Sequence, residues 1–175
     1  MNNFKRELDF SPATNKLEEV LFKVAEVEMI TKSKKSLFTD NTLDGIPVNG
    51  YKALINTDTR EVLSVVSSSY TLILNQKALE LGRAAFTKLF PSVNSDDLIV
   101  FKVISSKRKT FCHIDLIHKD VSFDAWQQET WFPFIRITNS YNRMFALSFE
   151  LGFVRKLCSN GVIINKKTVK VKFTH

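Results

Sequence analysis

Glycine and cysteine are both scarce in this chain of 175 residues, with five of one and two of the other. The glycines are never grouped as GxGxxG or GxxxxGK, which excludes the phosphate-cradling loops of dinucleotide-binding and nucleotide-hydrolysing proteins. Cys112 and Cys158 make no disulfide framework, so reduced thiols in a cytoplasm are the expectation. Cys112-His113 and His118 lack a second pair at zinc-finger spacing, while Cys158 and His175 stand far away, so neither metal nor cofactor is expected. No run approaches the roughly 20 apolar residues of a membrane span. The opening MNNFKRELDF has no apolar stretch of the secretory kind, so export is not expected.

What the chain does have is phenylalanine and positive charge. Fifteen Phe, 44% hydrophobic and 25% charged residues describe a globular protein whose core or surface is built on flat rings. The length suits one domain with a real core. Net charge is +7 and unevenly spread: residues 1–100 hold 12 Lys/Arg against 13 Asp/Glu, and residues 101–175 hold 13 against 5. Such asymmetry points to a polyanion facing the second half.

Ser11-Pro12 reads as a helix start, and Leu17, Val20, Leu21 and Val24 continue at helical spacing, predicting an amphipathic helix from Ser11 to about Glu28. Residues 31–50 read as a mobile loop with turn signals at Asp44-Gly45, Pro47 and Asn49-Gly50. Residues 51–55 and 62–66 predict a hairpin. Asn75 is expected to cap a second helix striped by Leu79, Gly82, Ala85, Phe86 and Leu89, with Pro91 past its end. Thereafter the period falls to two, predicting strands at 98–104, 110–117, 130–138, 145–151 and 168–173, with shorter candidates at 154–157 and 162–164. The fold class expected is α+β: two helices from the first half packed on a mainly antiparallel sheet of the early hairpin and the strand-rich second half, as a single domain spanning 1–175.

Three basic clusters are candidates for phosphate contact: Lys32-Lys34-Lys35 in the loop, Lys107-Arg108-Lys109 at a hairpin tip, and Lys166, Lys170 and Lys172 alternating along the last strand. An ordinary solvated strand face accounts for the last group equally well. In residues 131–138, even positions align Phe132, Phe134 and Arg136, a stacking platform if exposed and plain core if buried.

Two polar knots punctuate residues 136–164: Asn139-Ser140-Tyr141-Asn142-Arg143, and Arg155-Lys156-Leu157-Cys158-Ser159-Asn160-Gly161. With the Gly50–Tyr70 block and the Asn75 that follows, they resemble a phage- and plasmid-encoded family of unassigned activity, described as phage/plasmid-like proteins. The resemblance covers roughly residues 50–175 and implies a mobile-element origin. Members carry Asp-Gly after Asn-Ser-Tyr, where this chain has Asn142-Arg143, so any role of that acid does not carry over. Members also run past the position of His175. A looser likeness of architecture is to phage single-strand annealing proteins.

The knots are expected at adjacent strand ends, where Asn139, Ser140, Ser159, Asn160 and Gly161 close turns. Arg136, Arg143 and Arg155 would then gather near one rim. Alternatively, Arg155 pairs with Glu150 or Asp115. The reading is a non-catalytic nucleic-acid-binding protein, with single-stranded DNA favoured. Cations hold the backbone while Phe132, Phe134 or Tyr141 stack bases. Replication, recombination or repair is the expected setting, and a homo-oligomer is open. Rival readings are a protein-interaction module aimed at a host defence or host enzyme, and a small hydrolase centred on Cys158.

Overall fold

The computed structural model describes residues 14–32, 45–118, 121–125, 129–156 and 163–173. Within them the order is α1 (Thr14–Glu18), β1 (Val24–Ile30), β2 (Pro47–Asn56), β3 (Val62–Ser67), α2 (Asn75–Leu89), β4 (Ile99–Ser105), β5 (Phe111–Ile117), β6 (Phe123–Ala125), β7 (Glu129–Ser140), β8 (Leu147–Lys156) and β9 (Ile163–Phe173). The protein is mostly antiparallel sheet with few helices, an α+β arrangement as expected.

Several details differ from the sequence reading. The helix expected to reach Glu28 covers Thr14–Glu18, and Val24–Ile30 is a strand paired with β2. Val24 and Val27 fit helical spacing, but a β-branched, alternating segment beside an open strand gains a full ladder of backbone bonds. The early hairpin is also not part of the large sheet. With β1 it forms a separate three-stranded sheet, β1-β2-β3, while the second runs β4-β5-β7-β8-β9 with β6 paired to β7. Of the loop expected at 31–50, residues 33–44 lie outside the described residues, and Pro47–Gly50 already belongs to β2.

In the large sheet, Cys112, Ile114 and Leu116 of β5 join Ile135 and Ile137 of β7 in the main core beneath α2. Gly82 lets the helix lie close to the sheet, because a Cβ there would stand 2.2 Å from Ile137 Cδ1 and 2.4 Å from its Cγ1. α1 and the turn after it add Leu17 and Val20 to this core, with α1 over β4. The small sheet has its own core of Val24, Leu54, Leu63, Val66 and Tyr70, into which Tyr141 projects. Among the described residues no helix is long and apolar enough to cross a membrane.

The joint between the sheets is the first polar knot. Asn139 Nδ2 donates to Ile73 O and to Asn75 Oδ1, both at 2.8 Å. Asn75 Nδ2 reaches Val20 O at 2.7 Å, and its backbone N–H donates to Tyr141 Oη at 3.0 Å. Tyr70 Oη donates to Ser140 O at 2.9 Å and Ser64 Oγ to Tyr141 O at 2.5 Å. Asn75 therefore does not cap α2 with its side chain. The N-cap position is Leu74, without a side-chain cap, and the Asn75 amide ties the helix start to the turn after α1 and to β7 instead.

Burial drives the Tyr70 phenol up to about 12, with Arg143 opposing and Glu26 adding to the shift. Tyr141 is raised as well, chiefly by burial, and burial takes the Cys112 thiol up to about 12. All three are more easily ionised in the unfolded chain. Their contribution to stability is complete below pH about 9–10 and is lost as pH climbs toward 12. Alkaline titration followed by circular dichroism is expected to show unfolding across that interval. Tyr141→Phe, which strands the Asn75 N–H in a buried site, is expected to cost about 1–3 kcal/mol in urea denaturation. Gly82→Ala forces Ile137 aside and is expected to destabilise by about 1–2 kcal/mol, despite alanine's better helix propensity.

Candidate nucleic-acid interface

The face of the large sheet turned away from α2 is organised in three bands. At one end lies an apolar cluster of Ile117, Phe132, Phe134 and Val154. Phe134 is wholly buried and meets Phe101 edge-on at 6.0 Å between centroids. Phe132 is 8% exposed and Tyr141 0%. These three rings were expected to stack bases, and their burial removes them from that role. Parity along 131–138 was read correctly, but both faces of the strand are covered: Phe132 and Phe134 on one side, Ile135 and Ile137 on the other.

The middle band is a row of alternating charge across five strands. The register sets Lys102 beside Asp115, Asp115 beside Arg136, Arg136 beside Glu150, and Glu150 beside Lys170. Arg136 grips Asp115 with both arms of its guanidinium, Nε to Oδ1 at 2.7 Å and Nη2 to Oδ2 at 2.6 Å. That hydrogen bonding raises the already high Arg136 pKa against the opposing effect of burial. Lys170 pairs with Glu150. Arg136 and Lys170 are thus neutralised by acids that are themselves buried, Asp115 at 1% and Glu150 at 5% exposure. Neither cation is available to lead a phosphate chain across the face.

The third band lies toward the β4–β5 and β7–β8 turns. Phe111, His113 and Phe145 form a half-buried ring cluster, with centroids 5.1 Å apart for Phe111–Phe145, 5.4 Å for His113–Phe145 and 5.6 Å for Phe111–His113. His113 Nδ1 is 2.8 Å from Thr138 Oγ1. In the register His113 is followed by Thr138, Ser148 and Lys172.

Directly above the rings the two turns are bonded to each other, Tyr141 N–H to Thr110 O at 2.7 Å and Asn142 Nδ2 to Thr110 Oγ1 at 3.1 Å. Their tips carry Lys107, Arg108 and Arg143, all exposed. With Lys172 these have no ion pair among the described residues. Lys109, at the same tip, meets Glu19 at 3.5 Å. Both Lys109 (φ 56°) and Arg143 (φ 61°) are left-handed, a conformation that favours glycine and disfavours a long side chain.

The turn-closing expectation holds for part of the first knot. Ser140 Oγ accepts from Phe145 N–H at 3.1 Å and donates to Phe145 O at 2.8 Å, and Asn142 Oδ1 accepts from Met144 N–H at 3.1 Å. Asn139 instead joins the sheets. Ser159, Asn160 and Gly161, with Cys158, lie outside the described residues, as do Lys34 and Lys35.

The three arginines do not share a rim. Arg136 sits mid-sheet, Arg143 at the turn before β8, and Arg155 opposite Ile164 at the far end of β8, its side chain outside the described set. The ladder also shifts in β9, pairing Leu151 with Val169 but Gly152 with Lys167. The alternation that would align Lys166 with Lys170 and Lys172 is therefore broken, and the Lys166 side chain is outside the described set. Sequence reasoning missed Phe111, His113 and Phe145. Alternation along β5 does put Phe111, His113 and Asp115 on one face, and that was the usable signal.

Asp115→Asn removes the anion that holds Arg136 and is expected to destabilise the fold by about 3 kcal/mol, measured by urea denaturation.

No family model matches the chain, and neither a curated protein nor a solved structure does.

Proposed function

We propose that the protein binds nucleic acid, single-stranded DNA foremost, at the ring cluster and its basic rim, without catalysing a reaction on it. The observation that carries this reading is the cluster of Phe111, His113 and Phe145 next to the turns that bear Lys107, Arg108 and Arg143, cations without acidic partners among the described residues. Flat side chains beside uncommitted cations are what an unpaired strand requires. Stacked bases gain about 1–3 kcal/mol each, and neutralised phosphates release counterions. A duplex hides its base faces and would use the cations alone. The mobile-element origin that the polar knots suggest would make recombination or repair the setting of that binding.

Arg143→Gly is the informative substitution, because glycine accepts the left-handed turn while the positive charge disappears. Combined with Lys107→Ala and Arg108→Ala, it removes three cations. Titrating a fluorescein-labelled oligo-dT at several salt concentrations, the triple variant is expected to bind more weakly, with the log–log salt slope reduced by about 2. Phe145→Leu is expected to weaken binding to oligo-dT more than to a duplex of equal length. An unchanged slope in the triple variant would remove this rim from the contact.

A further inference from the structure

We propose, resting on the reading of the ring cluster and basic rim as a single-strand site, that Met144 is a wedge. Its side chain enters between two adjacent bases of the bound strand and holds that step unstacked. Met144 is 60% exposed and lies in the turn between β7 and β8. The exposed apolar side chains of β1, β3, α2 and β9 follow the period of a strand or a helix, which accounts for their type. No such period asks for a methionine in a turn, where small and polar residues dominate. Met144 also joins none of the apolar clusters formed by the described residues.

The turn holds this residue on a fixed mount. Asn142 Oδ1 accepts from the Met144 N–H at 3.1 Å, and Ser140 Oγ bonds both the N–H and the carbonyl of Phe145. Thr110 ties the whole turn to the β4–β5 turn, which carries Lys107 and Arg108. Folding the backbone inward to bury the methionine would break these bonds. Arg143 precedes Met144, and Phe145 follows it, its ring 5.1 Å from that of Phe111 between centroids. A cation, a slender apolar chain and a ring thus come in succession. One opened nucleotide step needs the same three things: a partner for the phosphate, a filler for the gap and a surface for the displaced base. Methionine suits the gap because its thioether chain is unbranched, flexible and polarizable. Opening the step costs stacking energy, so weakly stacked strands are the favoured ligands, pyrimidine runs ahead of oligo-dA.

The test uses twelve-nucleotide single strands. One alternates 2-aminopurine with adenine; its fluorescence is quenched while neighbouring bases stack, so an opened step brightens it in any register. With the strand saturated, as checked by anisotropy, the unaltered protein is expected to raise this fluorescence. Met144→Leu is expected to keep the rise, and Met144→Ala to lose at least half of it. The unaltered protein is also expected to bind oligo-dT about fivefold more tightly than oligo-dA of equal length, a preference that Met144→Ala narrows to about twofold. A flat signal from the bound strand, an undiminished rise with Met144→Ala, or an unchanged ratio of the two affinities overturns the wedge and leaves the ring-and-rim site standing. Absence of binding to every strand overturns both.

Discussion

The hydrogen bond that the Asn139 side-chain amide donates to Asn75 Oδ1 is the contact on which the remaining architecture depends. The two sheets share no strand. They are held in register where β7 leaves one core and Tyr141 enters the other, and where Asn75 spans from Val20 O to Asn139. An apolar contact there would tolerate sliding. Buried amides and phenols do not, because each misplaced group is left without a partner. One acceptor, Asn139 Oδ1, is buried without a partner among the described residues. A flip of that amide would sacrifice both bonds of Nδ2, so the network keeps its sense.

Much of the fold was legible because its elements obey simple periods. α2 and the strands of the second half follow helical spacing and strict alternation, and the turn at 106–110 and the Ser140–Phe145 turn carry residues suited to bends. The failures share a cause: each needed knowledge of a partner. Val24–Ile30 fits either period until β2 is available to pair with it. Asn75 resembles a cap until its side chain is spent on Val20 and Asn139. Phe132 and Phe134 resemble a platform until their burial beside Phe101 and Val154 on the same face is seen.

The candidate site was legible in its cations more than in its rings. Lys107 and Arg108 stand where the hairpin reading put them, and Arg143 sits in a turn as expected. Which arginines stay uncommitted depends on where acids lie across the strands, and register is invisible in a linear chain. Asp115 and Glu150 looked like ordinary members of alternating strands, yet each silences a cation that had seemed available. The register break in β9, a departure from the period used to find it, was equally hidden.

An alternating row of plus and minus has a further consequence. Its successive members cancel, so the potential above the middle of that sheet fades within a few ångströms of the surface. A molecule approaching from solution senses the ends of the sheet and little in between. The flat middle of the sheet thus exerts little net pull of its own on a charge of either sign.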